Sequence, residues 1–241
     1  DAVADTFEGN ADMSLRHIRI FILMEASGMK IDKRDLLLYA VTDRHWLNGR
    51  TLLEVVRESL DGGVTMLQLR EKTLEEGAFL EEARALQALC RERHVPFIVN
   101  DNVDIARAMG ADGVHVGQSD MEALDVRAKL GPDKIIGVSA HSVEEALLAE
   151  KHGADYLGVG AMFPTGSKAD VQELPYETLK DICAAVSIPV VAIGGISQEN
   201  VAKLAGSGIC GVAVISAIYA AKNIKSAAEE LKAAAEAMLR A

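Results

Sequence analysis

The chain repeats one local pattern about eight times: a short apolar run of β-prone residues, a polar turn, then a stretch with helical apolar spacing. The runs fall at residues 37–41, 65–69, 97–99, 113–116, 135–138, 156–159, 189–193 and 211–215. Strands separated by helices cannot pair as tight hairpins, so they are expected to form a parallel sheet with crossover helices. Eight such units close a barrel, and the expected fold class is α/β, a single (β/α)8 TIM barrel over residues 35–241. A doubly wound open sheet uses the same alternation, but its glycine-rich dinucleotide fingerprint is missing after the first strand.

The intervening stretches carry helix signals of their own. Thr73 with Glu76 and Ser142 with Glu145 have capping-box spacing, and Phe79, Ala83, Leu86 and Cys90 fall on one helical face. Residues 1–34 stand outside the pattern and are read as an N-terminal extension of unassigned role. Within it, residues 16–24 suit either a helix or a strand, whether as a cover for the barrel floor or as a frayed terminus.

Charge narrows the partners. Lys and Arg number 25 against 36 Asp and Glu, a net charge of −11, which argues against nucleic acid or an anionic membrane as the partner. Aromatic residues are only 4%, too few for a base-stacking platform. Cys90, Cys183 and Cys210 are unpaired in spacing and read as small buried residues of a reducing compartment. The apolar run at 20–24 is too short to span a membrane, and the acidic Asp1 and Asp5 do not suit a secretory signal, so a cytoplasmic protein is expected. Nothing in the sequence fixes an oligomeric state.

Sites in such a barrel sit where strands end, so the polar residues after each apolar run are the candidates. After the second run, alternation aims Gln68, Arg70 and Lys72 together at the mouth; the competing reading is a solvated strand end with Arg70 paired to a nearby carboxylate. Asp101 and Asp120 follow the third and fourth runs and suit either Mg²⁺, which takes carboxylate and phosphate oxygens, or helix N-caps. His115 lies inside a strand as a packed or supporting residue. Ser139 and His141 end the fifth run without the Gly-x-Ser-x-Gly elbow of a nucleophilic serine. The loop Thr165-Gly166-Ser167-Lys168 lacks the upstream glycine of a nucleotide P-loop and reads as an oxyanion-binding loop. Gly194-Gly195 and Ile215-Ser216 end the last two runs, where barrels often hold phosphate on backbone N–H groups.

Taken in order, Gln68-Leu69-Arg70-Glu71-Lys72, Val99-Asn100-Asp101, His115 through Asp120, Gly137 through His141, Phe163-Pro164-Thr165 through Lys168 and Ile193-Gly194-Gly195-Ile196 resemble the thiamine phosphate synthase family from about Leu37 onward. The resemblance implies transfer of a hydroxymethylpyrimidine group from its diphosphate to thiazole phosphate, with Mg²⁺ as cofactor. It implies that Gln68, Leu69, Arg70, Glu71, Lys72, Asn100, Ser139 and Lys168 bind the pyrimidine diphosphate and that Asp101 and Asp120 hold the metal. Thr165, Ser167, Gly195, Ile215 and Ser216 fall to thiazole phosphate, Gly166 is expected among the substrate-binding residues, and Arg70, Lys72, Ser139 and Lys168 are expected to carry catalysis. Ser167 stands where the family usually has threonine, which keeps the hydroxyl, and the extension before Asp35 is longer than the family's. Two alternatives remain open at this point: a thiazole tautomerase, which needs neither the Asp pair nor the full Gln68–Lys72 cluster, and an idle phosphoester-binding barrel.

Overall fold

A computed structural model describes residues 31–117, 123–166 and 172–241. Eight parallel strands, β1 (Leu38–Val41), β2 (Met66–Leu69), β3 (Phe97–Asn100), β4 (Gly113–Val116), β5 (Ile135–Ala140), β6 (Tyr156–Val159), β7 (Val190–Ile193) and β8 (Gly211–Val214), close in sequence order, with β8 returning to β1. Each expected run became a strand within two residues of its bounds.

The register separates two apolar layers. Alternate residues such as Leu38, Ala40, Leu67, Leu69 and Val99 face outward into the core shared with the helices. Their neighbours Tyr39, Val41, Met66, Ile98, Tyr156 and Val191 fill the barrel's interior. Ile31, 2% exposed, and Leu36, fully buried, join that inner cluster. Between them runs the 3-10 turn Lys33–Leu36, with Asp32 accepting from Arg34 N at its start.

Local chemistry starts and stops the helices. Thr51 and Glu54 exchange hydrogen bonds in a reciprocal capping box ahead of Leu52–Asp61. Asn102 caps Val103–Met109 by accepting from Ile105 N, and Gly110 ends it in the left-handed region at φ 67. The capping role at this strand end therefore belongs to Asn102 and not to Asp101. Ser142 caps Val143–Lys151, although the Glu145 carboxylate reaches to His141 N, one residue before the cap.

The expected Thr73/Glu76 box does not form. The helix runs over Glu76–Glu92 with Glu75 at its cap position, because the Thr73 N–H and hydroxyl are both donated to Glu71 Oε1 within the preceding loop. Its apolar face is as expected, with Phe79, Ala83, Leu86 and Cys90 buried. In the seventh unit the crossover carries the 3-10 turn Val201–Leu204, and Ile224–Arg240 packs across it and Leu52–Asp61. The expectation for residues 16–24 lies outside the described residues, as do those for Asp120, Ser167 and Lys168. Among the described residues no helix is long and apolar enough to cross a membrane.

Candidate active site

The strand ends enclose a cavity of about 440 Å³ walled by Gln68, Arg70, Lys72, Asn100, Asp101 and Ser139, with His115 and Tyr39 deeper in. Gln68, Arg70 and Lys72 share this wall because they alternate along β2 and its extension. Of the intervening residues, Leu69 lies in the outer core, while Glu71, its side chain 2% exposed in the loop after β2, lines an adjoining pocket with Lys72, Asn100 and Asp101.

Glu71 builds the loop. Its Oε1 accepts from the N–H groups of Lys72, Thr73 and Leu74 and its Oε2 from Arg44. Burial alone would raise this carboxyl, but the Thr73 N–H, the Arg44 guanidinium and the neighbouring donors hold it at about 2. The carboxylate is thus a fixed strut for the segment that carries Lys72.

Arg70 both lines the cavity and pairs with a carboxylate, so its two readings coexist: Nη1 donates to Asp43 Oδ2 at 2.9 Å, with side chains 12% and 18% exposed. Asp43, from the loop after β1, orients the guanidinium at the mouth. Asp101 has left-handed backbone (φ 60), donates its N–H to His115 O at 2.8 Å, and accepts from Asn100 Nδ2 at 2.5 Å. It stands at the cavity rim beside Lys72.

A second cavity, about 110 Å³, adjoins the first and shares Ser139, His141, Gly158, Ile193, Ala213 and Ile215 with it. Thr165, Gly194, Gly195, Ile196 and Ser216 are among the other residues of its wall. Gly194 (φ +97) and Gly195 (φ +62) make the turn after β7, and a Cβ on Gly195 would lie 2.4 Å from Pro164 O. Only glycine combines that conformation with so close an approach to the β6 loop. Gly166 is exposed and does not line either cavity.

Beneath the mouth runs a chain of buried polar groups that the sequence did not reveal. Gln68 Nε2 donates to Tyr39 Oη at 2.6 Å, and Tyr39 and Tyr156 hydroxyls lie 2.8 Å apart. Tyr156 Oη is 3.0 Å from His115 Nδ1, whose ring partner Nε2 is 3.0 Å from Ser139 Oγ. Burial pushes both phenols well above their ordinary range, so they stay neutral. The cysteines offer no nucleophile: burial pushes the Cys90 and Cys210 thiols to about 12 and Cys183 to about 11.

A closed barrel with polar side chains, a carboxylate and glycine-shaped backbone at the strand C-termini defines a (β/α)8-barrel enzyme. The chain belongs to the thiamine monophosphate synthase family, whose sequence profile matches residues 38–218. It is 51% identical over 197 residues to the thiamine-phosphate synthase of Clostridium tetani, covering 82% of this chain and 94% of that one. With the thiamine-phosphate synthase of Ruminiclostridium cellulolyticum it shares 52% over 199 residues, 83% and 95% of the two chains. The solved thiamine phosphate pyrophosphorylase from Pyrococcus furiosus superposes with a TM-score of 0.79 at 43% identity, over 86% of this chain and 98% of that one. The activity is accordingly thiamine-phosphate synthesis, a transferase reaction.

Proposed function

We propose that the chain transfers the hydroxymethylpyrimidine group from its diphosphate to thiazole phosphate, releasing thiamine phosphate and diphosphate. The observation that carries this reading is the pair of adjoining cavities with a common wall at Ser139, Gly158 and Ile193. Two phosphorylated substrates need two anion-holding regions close enough for their reacting atoms to meet.

The larger cavity takes the pyrimidine diphosphate. Arg70 and Lys72 face the leaving group, with Gln68, Asn100 and Ser139 supplying hydrogen bonds; by the family resemblance Lys168 also binds the diphosphate, and Ser167 binds thiazole phosphate. The smaller cavity takes thiazole phosphate on Thr165, Ser216 and the backbone at Gly195 and Ile215. As the carbon–oxygen bond breaks, its electron pair leaves with the diphosphate and the pyrimidine methylene becomes cationic. The thiazole nitrogen then donates its lone pair to that carbon. No protein nucleophile is required; fixed positive charge on the diphosphate is.

Asp101 is the described half of a Mg²⁺ site whose other half is Asp120. A carboxylate at the cavity rim, beside an amide and within the wall that faces the phosphates, suits an ion that takes one or two carboxylates and fills its remaining positions from water and substrate. Among the described residues no group of three or more His, Cys, Asp or Glu offers a larger protein cage. When bound, Mg²⁺ supplies positive charge to the departing diphosphate. The test is to mix both substrates with and without Mg²⁺ and quantify thiamine phosphate and diphosphate. Equimolar products only with metal are expected; isomerised thiazole phosphate without diphosphate release would overturn the reading.

A further inference from the structure

We propose that the buried chain Gln68–Tyr39–Tyr156–His115–Ser139 has a single donor direction, fixed at Gln68, that holds His115 as its Nε2–H tautomer and makes the Ser139 hydroxyl a donor toward the anion in the cavity. Tyr39, Tyr156 and His115 are on this account positioning residues for the transfer reaction.

The argument is one of donors and acceptors. An amide nitrogen can only donate, so at the first link, 2.6 Å long, Tyr39 Oη is the acceptor. Tyr39 then gives its own hydrogen to Tyr156 across 2.8 Å. Tyr156, having accepted, donates to His115 Nδ1 at 3.0 Å. A neutral imidazole that accepts at Nδ1 carries its hydrogen on Nε2, and that hydrogen is directed to Ser139 Oγ, 3.0 Å away. Ser139 is an acceptor from below, so its O–H is not spent on His115, and the residue walls both cavities. Reversing Gln68 would reverse every link and leave Ser139 donating to His115.

The packing is built for this chain. Gly137 faces the ring pair from β5, and a Cβ there would lie 2.3 Å from Tyr156 Oη and 2.5 Å from His115 Nδ1. Tyr156 is fully buried and lines neither cavity, so water does not replace its link to His115. No proton is transferred; neutral groups keep one orientation, and mutual polarisation strengthens each bond.

The catalytic half of the inference rests on Ser139 contacting the diphosphate, whereas the tautomer does not. The first experiment is therefore substrate-free: a long-range ¹H–¹⁵N spectrum of the full chain labelled with ¹⁵N-histidine, the His115 signals assigned by their loss in His115→Gln. Protonated Nε2 with bare Nδ1 is expected; a protonated Nδ1, alone or with Nε2, overturns the direction. The second is a kinetic cycle with Tyr39→Phe, which keeps the ring and removes the link two bonds from His115. It should lower kcat roughly 3- to 10-fold, the worth of one uncharged hydrogen bond, with the KM for thiazole phosphate unchanged, and should cost nothing further in Ser139→Ala. An unchanged kcat, or equal losses in both backgrounds, overturns the coupling to Ser139. If Tyr39→Phe does not fold, the wild-type spectrum still decides the direction. A wild-type chain with the expected tautomer but no thiamine phosphate synthesis would instead sink the assigned reaction.

Discussion

On the β2–β3 side of the mouth the wall is made of side chains: Arg70, Lys72, Asn100 and Asp101 project from the strand ends, with Arg70 steered by Asp43. On the β6–β8 side it is made largely of backbone, shaped by Gly194 and Gly195 at positive φ against Ala161 and Pro164. Charge supplied by side chains is removable without disturbing the fold, whereas a surface supplied by backbone conformation is part of the fold. Mutations on the first side should therefore separate activity from stability, and mutations on the second should couple them.

The largest effect is expected at Arg70. Arg70→Ala should lower turnover by ~10²- to 10³-fold, the range seen when a fixed electrostatic stabiliser is removed, while the thermal midpoint moves by only a few degrees because Asp43 is near enough to solvent to be hydrated. Steady-state rates beside a circular-dichroism melt check this. A large fall in the midpoint with turnover retained would make Arg70 a structural partner of Asp43 and remove the contrast between the two sides.

Gly195→Ala should behave in the opposite way, with stability and activity falling together. The added methyl would meet Pro164 O at 2.4 Å and Phe163 O at 2.6 Å, at φ +62. Overpacking together with a left-handed non-glycine residue costs about 3 kcal/mol, measurable by urea unfolding. Normal stability in this variant would mean that the β6 loop yields easily and that the wall is not shaped by the glycine.

Asp101→Asn is expected to cut turnover ~10²-fold by analogy with other lost electrostatic stabilisers and to raise the Mg²⁺ concentration needed for half-maximal rate. Unfolding should be little changed, since Asn102 and not Asp101 caps the following helix. Near-wild-type turnover across a Mg²⁺ titration would move the metal away from Asp101.

The same contrast explains what the sequence could disclose. The strands were legible because β-prone apolar runs recur between helical spacings, and Gln68, Arg70 and Lys72 were legible because polar residues at alternate positions mark one face of a strand end. Tyr39 and Tyr156 were not. Strands buried on both faces are apolar throughout, so alternation does not say which residues point inward, and the two hydroxyls that meet are 117 positions apart. The Arg70–Asp43 pair, 27 residues apart, is hidden for the same reason. The start of Glu76–Glu92 differs from the expected one because the Thr-x-x-Glu signal loses to Glu71, which accepts both the N–H and the hydroxyl of Thr73.

Glu71 provides the smallest and sharpest separation, because it is adjacent to two residues of the 440 Å³ cavity yet is itself no part of that cavity's wall. Its carboxyl is held at about 2 against an ordinary 4.5, a lowered value, so the unfolded chain takes up the proton first as acid is added. The stabilisation is complete above pH 4.5 and is lost as the pH falls toward 2. Glu71→Gln keeps an oxygen to accept from the Thr73 and Leu74 N–H groups but loses the charge facing Arg44, and should cost about 1–2 kcal/mol at neutral pH. The difference between wild type and variant should narrow through that acid window in urea unfolding, and turnover at neutral pH should stay within about twofold, since little of a loop strut's effect reaches the reacting atoms. A pH-independent stability gap would show that packing and not the held carboxylate stabilises the loop. A tenfold loss of turnover at undiminished stability would place Glu71 in the diphosphate site after all, and the division between struts and cavity side chains along β2 would have to be redrawn.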